Sequence, residues 1–329
     1  MVSGTDSGGF RLINDILARF DAGETLSKAD LCALLQIPVG SEDYYRLLAA
    51  ANGYSRRAFS GKGLIFGQLG LDAQPCRINC KFCSLAKDAM NGKPVQICGL
   101  EDTVRRAKEL AEAGAEDVFL MTTAEFSPEL FLEYGKAVRA VLPETVRLVA
   151  NVSDFDLAYA HKLREAGFTG VYHICRLGEG IDTSVVPEVR IRTLDAVRDA
   201  GLELYYCVEP IGPEHTNEQL AEEMIRPRDY PVGVMAVMKR IAVPGTPLAA
   251  RGEISAARLA QICATATLAM RPQRAMCVHE PDELCLMAGA NQLYAECGTN
   301  PRDTCTETRN GRGFSVEDAK AMLKKTEWN

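Results

Sequence analysis

The segment Ala73-Gln74-Pro75-Cys76-Arg77-Ile78-Asn79-Cys80-Lys81-Phe82-Cys83-Ser84 places three cysteines at a C-x3-C-x2-C spacing, with no fourth close by. A structural zinc site wants four ligands, usually in two pairs, and no Cys-x2-Cys or His-x3-His pair follows this loop. Three thiolates on one short loop instead suit three irons of a [4Fe–4S] cube. The fourth iron is then open to a ligand from outside the protein, unlike the four-cysteine clusters that carry electrons. Cys76, Cys80 and Cys83 are therefore the candidate catalytic and metal-binding residues.

Such a loop needs a rigid support, and the chain around it alternates between two patterns. From residue 62, apolar runs read as strands at Leu64 to Leu71, Val118 to Thr122, Val146 to Val152, Gly170 to Cys175, Leu202 to Val208, Gly233 to Val237, Ala275 to Val278 and Gln292 to Ala295. Amphipathic segments follow them at 101–114, 127–141, 154–167, 187–200, 217–225, 254–270, 281–288 and 315–327, making eight strand–helix units. Ala113-Gly114, Ala166-Gly167, Ala200-Gly201 and Ala288-Gly289 are helix-ending glycines that lead into the next strand. Repeated βα units imply parallel strands and right-handed crossovers. Eight of them predict an α/β fold, a closed (β/α)8 TIM-type barrel, with a doubly wound open sheet as the alternative. The chemistry of such a barrel sits at the C-terminal ends of its strands, and the cysteine loop directly follows the first one. Residues 1–60 carry helix-like spacing (Leu12, Ile13, Ile16, Leu17, Phe20, then Leu31, Leu34, Leu35), with Ser27 as an N-cap and Asp30 at its third position. They read as an N-terminal helical extension to a barrel over 61–329 that ends in a tail helix.

With 329 residues, 47% of them hydrophobic and 25% charged, the chain is an ordinary globular composition rather than a disordered one. No run of eighteen uncharged apolar residues occurs, so no membrane span is expected. The opening residues lack the basic start and apolar core of a signal peptide, which favours the cytoplasm. A net charge of −7 without any Lys/Arg block argues against nucleic acid as a partner. Twelve cysteines in such a chain read as reduced thiols and metal ligands rather than disulfides.

The C-x3-C-x2-C loop after the first barrel strand, with aromatic Phe82 before the last cysteine, resembles the signature of the radical S-adenosylmethionine (SAM) superfamily. The resemblance extends to the group containing biotin synthase, the hydrogenase maturase that makes the diiron-site ligands, methylornithine synthase and the two-protein lipoyl synthases. It is carried by Cys285-Leu286-Met287-Ala288-Gly289-Ala290-Asn291 before the eighth strand, Val243-Pro244-Gly245-Thr246-Pro247-Leu248 after the sixth, and Arg190-Ile191-Arg192-Thr193-Leu194 in the helix after the fourth. It implies that the open iron binds SAM through its methionyl amine and carboxylate, and that anaerobic reduction yields a 5′-deoxyadenosyl radical. It also implies cofactor-binding roles for Phe82, for Glu125 toward the SAM ammonium, for Asn151 and Ser153 toward ribose or carboxylate, for Arg176 toward the SAM carboxylate, and for Glu179 toward ribose or ammonium.

The remaining cysteines offer two candidate ligand sets for an auxiliary Fe–S cluster. Cys175, Cys207 and Cys277 fall at the ends of the fourth, fifth and seventh strands; Cys285, Cys297 and Cys305 lie on and around the eighth. Cys32, Cys98 and Cys263 read as buried small apolar residues. The expected activity is sulfur insertion at an unactivated C–H, with the auxiliary cluster as sulfur donor, as in biotin synthase-like and lipoyl synthase-like chemistry. The alternatives are radical rearrangement or C–C cleavage of an amino-acid or cofactor precursor, and a non-catalytic Fe–S or zinc protein. The expected partners are a small-molecule or carrier-protein-bound substrate, a flavodoxin- or ferredoxin-type electron donor, and a second copy of the chain in a homodimer.

Overall fold

The computed structural model describes residues 7–299 and 314–329. Its body is a closed barrel of parallel strands: β1 (Leu64–Gly70), β4 (Asp117–Met121), β5 (Arg147–Asn151), β6 (Gly170–Tyr172), β7 (Glu203–Ile211), β8 (Val232–Lys239), β9 (Ala275–Val278) and β10 (Gln292–Gly298). β10 pairs with β1 over its full length, Leu64 opposite Gln292 through Gly70 opposite Gly298, which closes the sheet and leaves no edge. Strands covered on both faces are largely apolar. β1, with the sequence LIFGQLG, is accordingly buried at every position. The helices α4 (Leu100–Glu112), α5 (Pro128–Arg139), α6 (Leu157–Glu165), α7 (Pro187–Asp199), α8 (Asn217–Ile225), α9 (Ala256–Met270) and α11 (Val316–Lys325) surround the barrel. The barrel predicted from the alternating pattern is thus the one observed.

Three elements depart from the pattern. The segment 281–288 forms only the short helix α10 (Glu283–Leu286), because Asp282 caps the amides of Leu284 and Cys285 and Gly289 turns the chain at φ +109°. β7 runs through Pro210 to Ile211, where a proline argues for a strand's end; a register shift against β8 accommodates it. A two-residue ribbon, β2 (Asp72–Ala73) with β3 (Gln96–Ile97), flanks the cysteine loop and has no periodic signal.

The N-terminal helices α1 (Ser7–Asp21), α2 (Lys28–Gln36) and α3 (Glu42–Ala58) share the barrel's apolar core. Ser27 and Asp30 form the capping box expected of them. α9 receives this layer: Tyr44 Oη donates to the carbonyl of Ala257 at 2.9 Å, and Gln261 Nε2 donates to those of Leu34 and Ile37 at 2.9 and 2.8 Å.

At the N-terminal end of the strands the barrel is plugged by buried polar groups. Asp117 accepts from Gln292 Nε2 at 2.7 Å and from both terminal nitrogens of Arg274 at 3.1 Å, while Tyr205 Oη donates to it at 3.3 Å. Above this plug lies an aromatic layer in which Phe66 and Phe119 are 4.5 Å apart and Phe119 meets Tyr205 edge-on at 5.1 Å. Functional groups therefore have room only at the opposite, C-terminal end. Among the described residues no helix is long and apolar enough to cross a membrane.

Candidate active site

The cysteine loop leaves β1 at the C-terminal mouth and is tied down on two sides. Cys76 N donates to Leu85 O at 2.9 Å and Lys87 N to Cys76 O at 3.0 Å, which closes the loop on itself. Asn79 occupies the left-handed region at φ +51°, a conformation asparagine tolerates, and exchanges hydrogen bonds with Asp88. Lys81 N donates to Asp182 O and Ser184 N to Ile78 O, both at 2.9 Å, fastening the loop to the turn after β6.

Cys76, Cys80, Phe82 and Cys83 line one cavity together with Gln68, Asn151, Ser153, Arg176 and His279. Cys80 is buried and its thiol is pushed up to about 12, chiefly by burial, with the Arg176 guanidinium opposing the rise. Three thiols on one short loop suit three separate irons of a cube better than one metal ion, which wants a fourth ligand.

The cavity's polar wall comes from the strand ends. Asn151 ends β5 and Ser153 follows it. The β4 loop is fixed from below by Asp72, which accepts from Thr123 N at 2.7 Å and from the Thr123 hydroxyl. Arg176 follows β6, its Nε 3.4 Å from Glu209 Oε1. The turn Arg176-Leu177-Gly178-Glu179 needs its glycine: Gly178 sits at φ +76°, and an added Cβ would lie 2.6 Å from Asp182 Oδ2. That turn brings Glu179 back to accept from Arg176 N at 3.0 Å and from Arg190 Nε at 3.0 Å. Burial pushes the Glu179 carboxyl up, but Arg176 and Arg190 outweigh it and hold the group below the usual range.

Two of the expected cofactor-binding residues, Glu125 and Glu179, lie outside the cavity lining. Glu125 is outside the cavity lining, and its Oε1 accepts from Arg77 N at 2.9 Å, so it braces the cysteine loop. Glu179 is buried and hydrogen-bonded to Arg176 N and Arg190 Nε rather than part of the cavity lining. Phe82, Asn151, Ser153 and Arg176 are brought together as expected. Arg190, which opens the resembling segment after the fourth strand, and Glu209 also line the cavity, although neither was expected as a site residue.

Among the described residues, the cysteines of the two expected auxiliary sets face different surroundings. Cys207 and Cys277 face into the barrel below the cavity, Cys277 lower and toward Asp117. Cys175 faces the other side of the wall, toward Glu223 and Arg226, because alternate residues past β6 point in opposite directions. Cys285 packs on Cys263 of α9, and Cys297 faces Arg106 and Cys98 on the α4 side. Cys305 lies outside the described residues. The period of two along a strand thus sends cysteines that are close in sequence order to different layers.

No protein-family profile matches the chain. It is 27% identical over 305 residues to the biotin synthase of Myxococcus xanthus (strain DK1622), spanning 84% of this chain and 83% of that one. To the biotin synthase of Methylobacterium sp. (strain 4-46) it is 28% identical over 248 residues, spanning 69% and 73%. Among solved structures, methylornithine synthase (PylB) superposes with a TM-score of 0.77 at 19% identity, covering 95% of both chains. The FeFe-hydrogenase maturase HydG from Carboxydothermus hydrogenoformans gives 0.76 at 16% identity, covering 96% of this chain and 78% of that one. The two structural likenesses establish a shared fold.

Proposed function

Because the chain belongs to the radical SAM superfamily, in its biotin synthase-like group, we propose that it binds a [4Fe–4S] cluster and SAM at the barrel mouth and removes a hydrogen atom from a small substrate held beneath them. The observation that carries this reading is the cavity in which Cys76, Cys80 and Cys83 converge with Asn151, Ser153 and Arg176. The donor set fits: three free thiols on one anchored loop that line the same cavity. When bound and reduced, the cluster supplies the electron that splits the SAM sulfonium into methionine and a 5′-deoxyadenosyl radical.

The chain's own residues hold the reactants. Arg176, aimed by Glu209 and by the Glu179 turn, offers a fixed cation to the SAM carboxylate. Asn151 and Ser153 offer an amide and a hydroxyl to the ribose or carboxylate. Phe82 covers the cysteine loop's inner side. Tyr172 and His279, 5.3 Å apart, form the floor and keep the reacting volume open only toward the loop. An electron donor of the flavodoxin or ferredoxin type would serve the exposed side of the loop.

After hydrogen abstraction, rearrangement or C–C cleavage of a small polar substrate is the favoured course. An auxiliary sulfur-donating cluster needs several thiolates around one point. Below the loop, among the described residues, Cys207 and Cys277 are the cysteines facing inward. Sulfur insertion is the second reading, favoured by the name the curated relatives share.

Anaerobic reconstitution followed by reduction with dithionite tests the proposal. Wild-type protein should release 5′-deoxyadenosine and methionine from SAM, and the triple variant Cys76→Ala, Cys80→Ala, Cys83→Ala should release neither. Unimpaired cleavage in that variant overturns the assignment. About four irons and four sulfides per chain favour the first chemistry, about eight the second.

A further inference from the structure

Beneath the cavity floor, β7 carries Cys207 and Glu209 two residues apart, so both side chains face into the barrel. His279, one residue past β9, turns in beside them. A ligand atom from each (Cys207 Sγ, a Glu209 carboxylate oxygen and an imidazole nitrogen of His279) lies within 4.8 Å of the other two, and all three residues are buried. We propose that Cys207, Glu209 and His279 bind one divalent transition-metal ion, zinc by preference, at a three-ligand site whose remaining position faces the substrate cavity.

The donor chemistry supports it. Sulfur, imidazole nitrogen and carboxylate oxygen together suit zinc and its neighbours, and three protein ligands with one open position is the arrangement of catalytic rather than structural zinc. Bond lengths of about 2.0–2.3 Å put the ligand atoms of a tetrahedral site roughly 3–4 Å apart, so a small side-chain closure completes the site. Glu209 and His279 line the cavity and Cys207 does not, which sets the direction of the open position.

Groups around the three ligands hold them in place, as outer partners of metal ligands do. Tyr172 Oη donates to Glu209 Oε2 at 2.7 Å, and Arg176 Nε faces the other carboxylate oxygen at 3.4 Å. The His279 ring is packed between Phe66 at 5.5 Å and Tyr172 at 5.3 Å. Cys277 is not among the residues gathered at ligating distance. A substrate amine, carboxylate or hydroxyl would take the open position; this role rests on the function proposed above, whereas metal binding does not.

The test uses the full-length chain carrying Cys76→Ala, Cys80→Ala and Cys83→Ala, which clears the mouth of competing thiolates. Anaerobic titration with Co²⁺ should show about one ion per chain, with a thiolate-to-cobalt charge-transfer band and intense tetrahedral visible bands. Adding Cys207→Ala or His279→Ala should weaken binding at least about 100-fold, with circular dichroism reporting that the fold persists. Glu209→Gln, which keeps the side chain's shape, should weaken it at least about 10-fold and decides the matter if the first two variants do not fold. Undiminished cobalt binding in these variants overturns the proposal. So does labile sulfide, bound with iron, that Cys207→Ala removes, since that would mark an auxiliary cluster. SAM cleavage by the wild-type protein is scored separately, so failure of either assignment is recognisable without the other.

Discussion

Arg190 Nε donates to Glu179 Oε2 at 3.0 Å inside the barrel wall, and the guanidinium's other arm reaches Asp154 Oδ2 at 2.9 Å. Both side chains of the Arg190–Glu179 pair are almost wholly buried, at 4% and 1% exposure. Removing one member of such a pair strands the other's charge away from water. Arg190→Met should therefore cost about 3 kcal/mol or more of stability in urea unfolding. The same variant should weaken SAM binding, because Glu179 anchors the turn that carries Arg176. A loss below about 1 kcal/mol would show the pair is not held as described.

Asp154 gives the acid limb of stability a defined origin. Burial raises its carboxyl, but His173, with Nε2 3.3 Å from Oδ1, and the Arg190 guanidinium outweigh burial and hold it at about 2. An unfolded aspartate titrates near about 3.9, so the folded state gains from this group above that pH and loses the gain as pH falls through about 2. Asp154→Asn should flatten the stability profile between about pH 5 and 2 and cost about 2 kcal/mol at pH 7. Unfolding free energies measured across that range check both.

Glu125 should matter to the cluster loop and not to SAM. Its carboxylate meets Arg77 N at 2.9 Å and the Arg77 guanidinium at 3.2 Å. Glu125→Ala should speed loss of iron to a chelator, while SAM affinity of the loaded protein changes less than about 2-fold. A SAM affinity lowered by about 10-fold or more would return Glu125 to the cofactor's side.

Cys175, Cys285 and Cys297 should be dispensable for metal. Replacing each with alanine should leave iron and sulfide per chain unchanged, at a cost of about 1 kcal/mol in stability for the lost buried volume. A fall in iron content in any of them would identify a ligand and bring sulfur insertion forward.

The barrel and its cysteine loop were legible because both rest on local pattern. Alternating apolar runs and helix-ending glycines such as Gly114 and Gly201 repeat along the chain, and C-x3-C-x2-C is a spacing within one loop. The side on which a residue faces was harder to read. Cys175 and Cys207 each fall at a strand's end in sequence, yet alternation along the strand sends one to the outer wall and the other to the interior. Pairings between distant segments were not legible at all. Nothing near Glu209 announces Arg176 and His279 as its neighbours, and nothing near Glu179 announces Arg190, because those contacts exist only once the barrel closes.

The stopper of Asp117, Arg274 and Gln292 closes one end of the barrel, so among the described residues the cavity opens toward the other. A molecule resting on Tyr172 and His279 lies deeper than one resting against Cys76, Cys80 and Cys83, and both share the same passage. If the proposed function holds, a substrate on that floor would have to enter before SAM and leave after it.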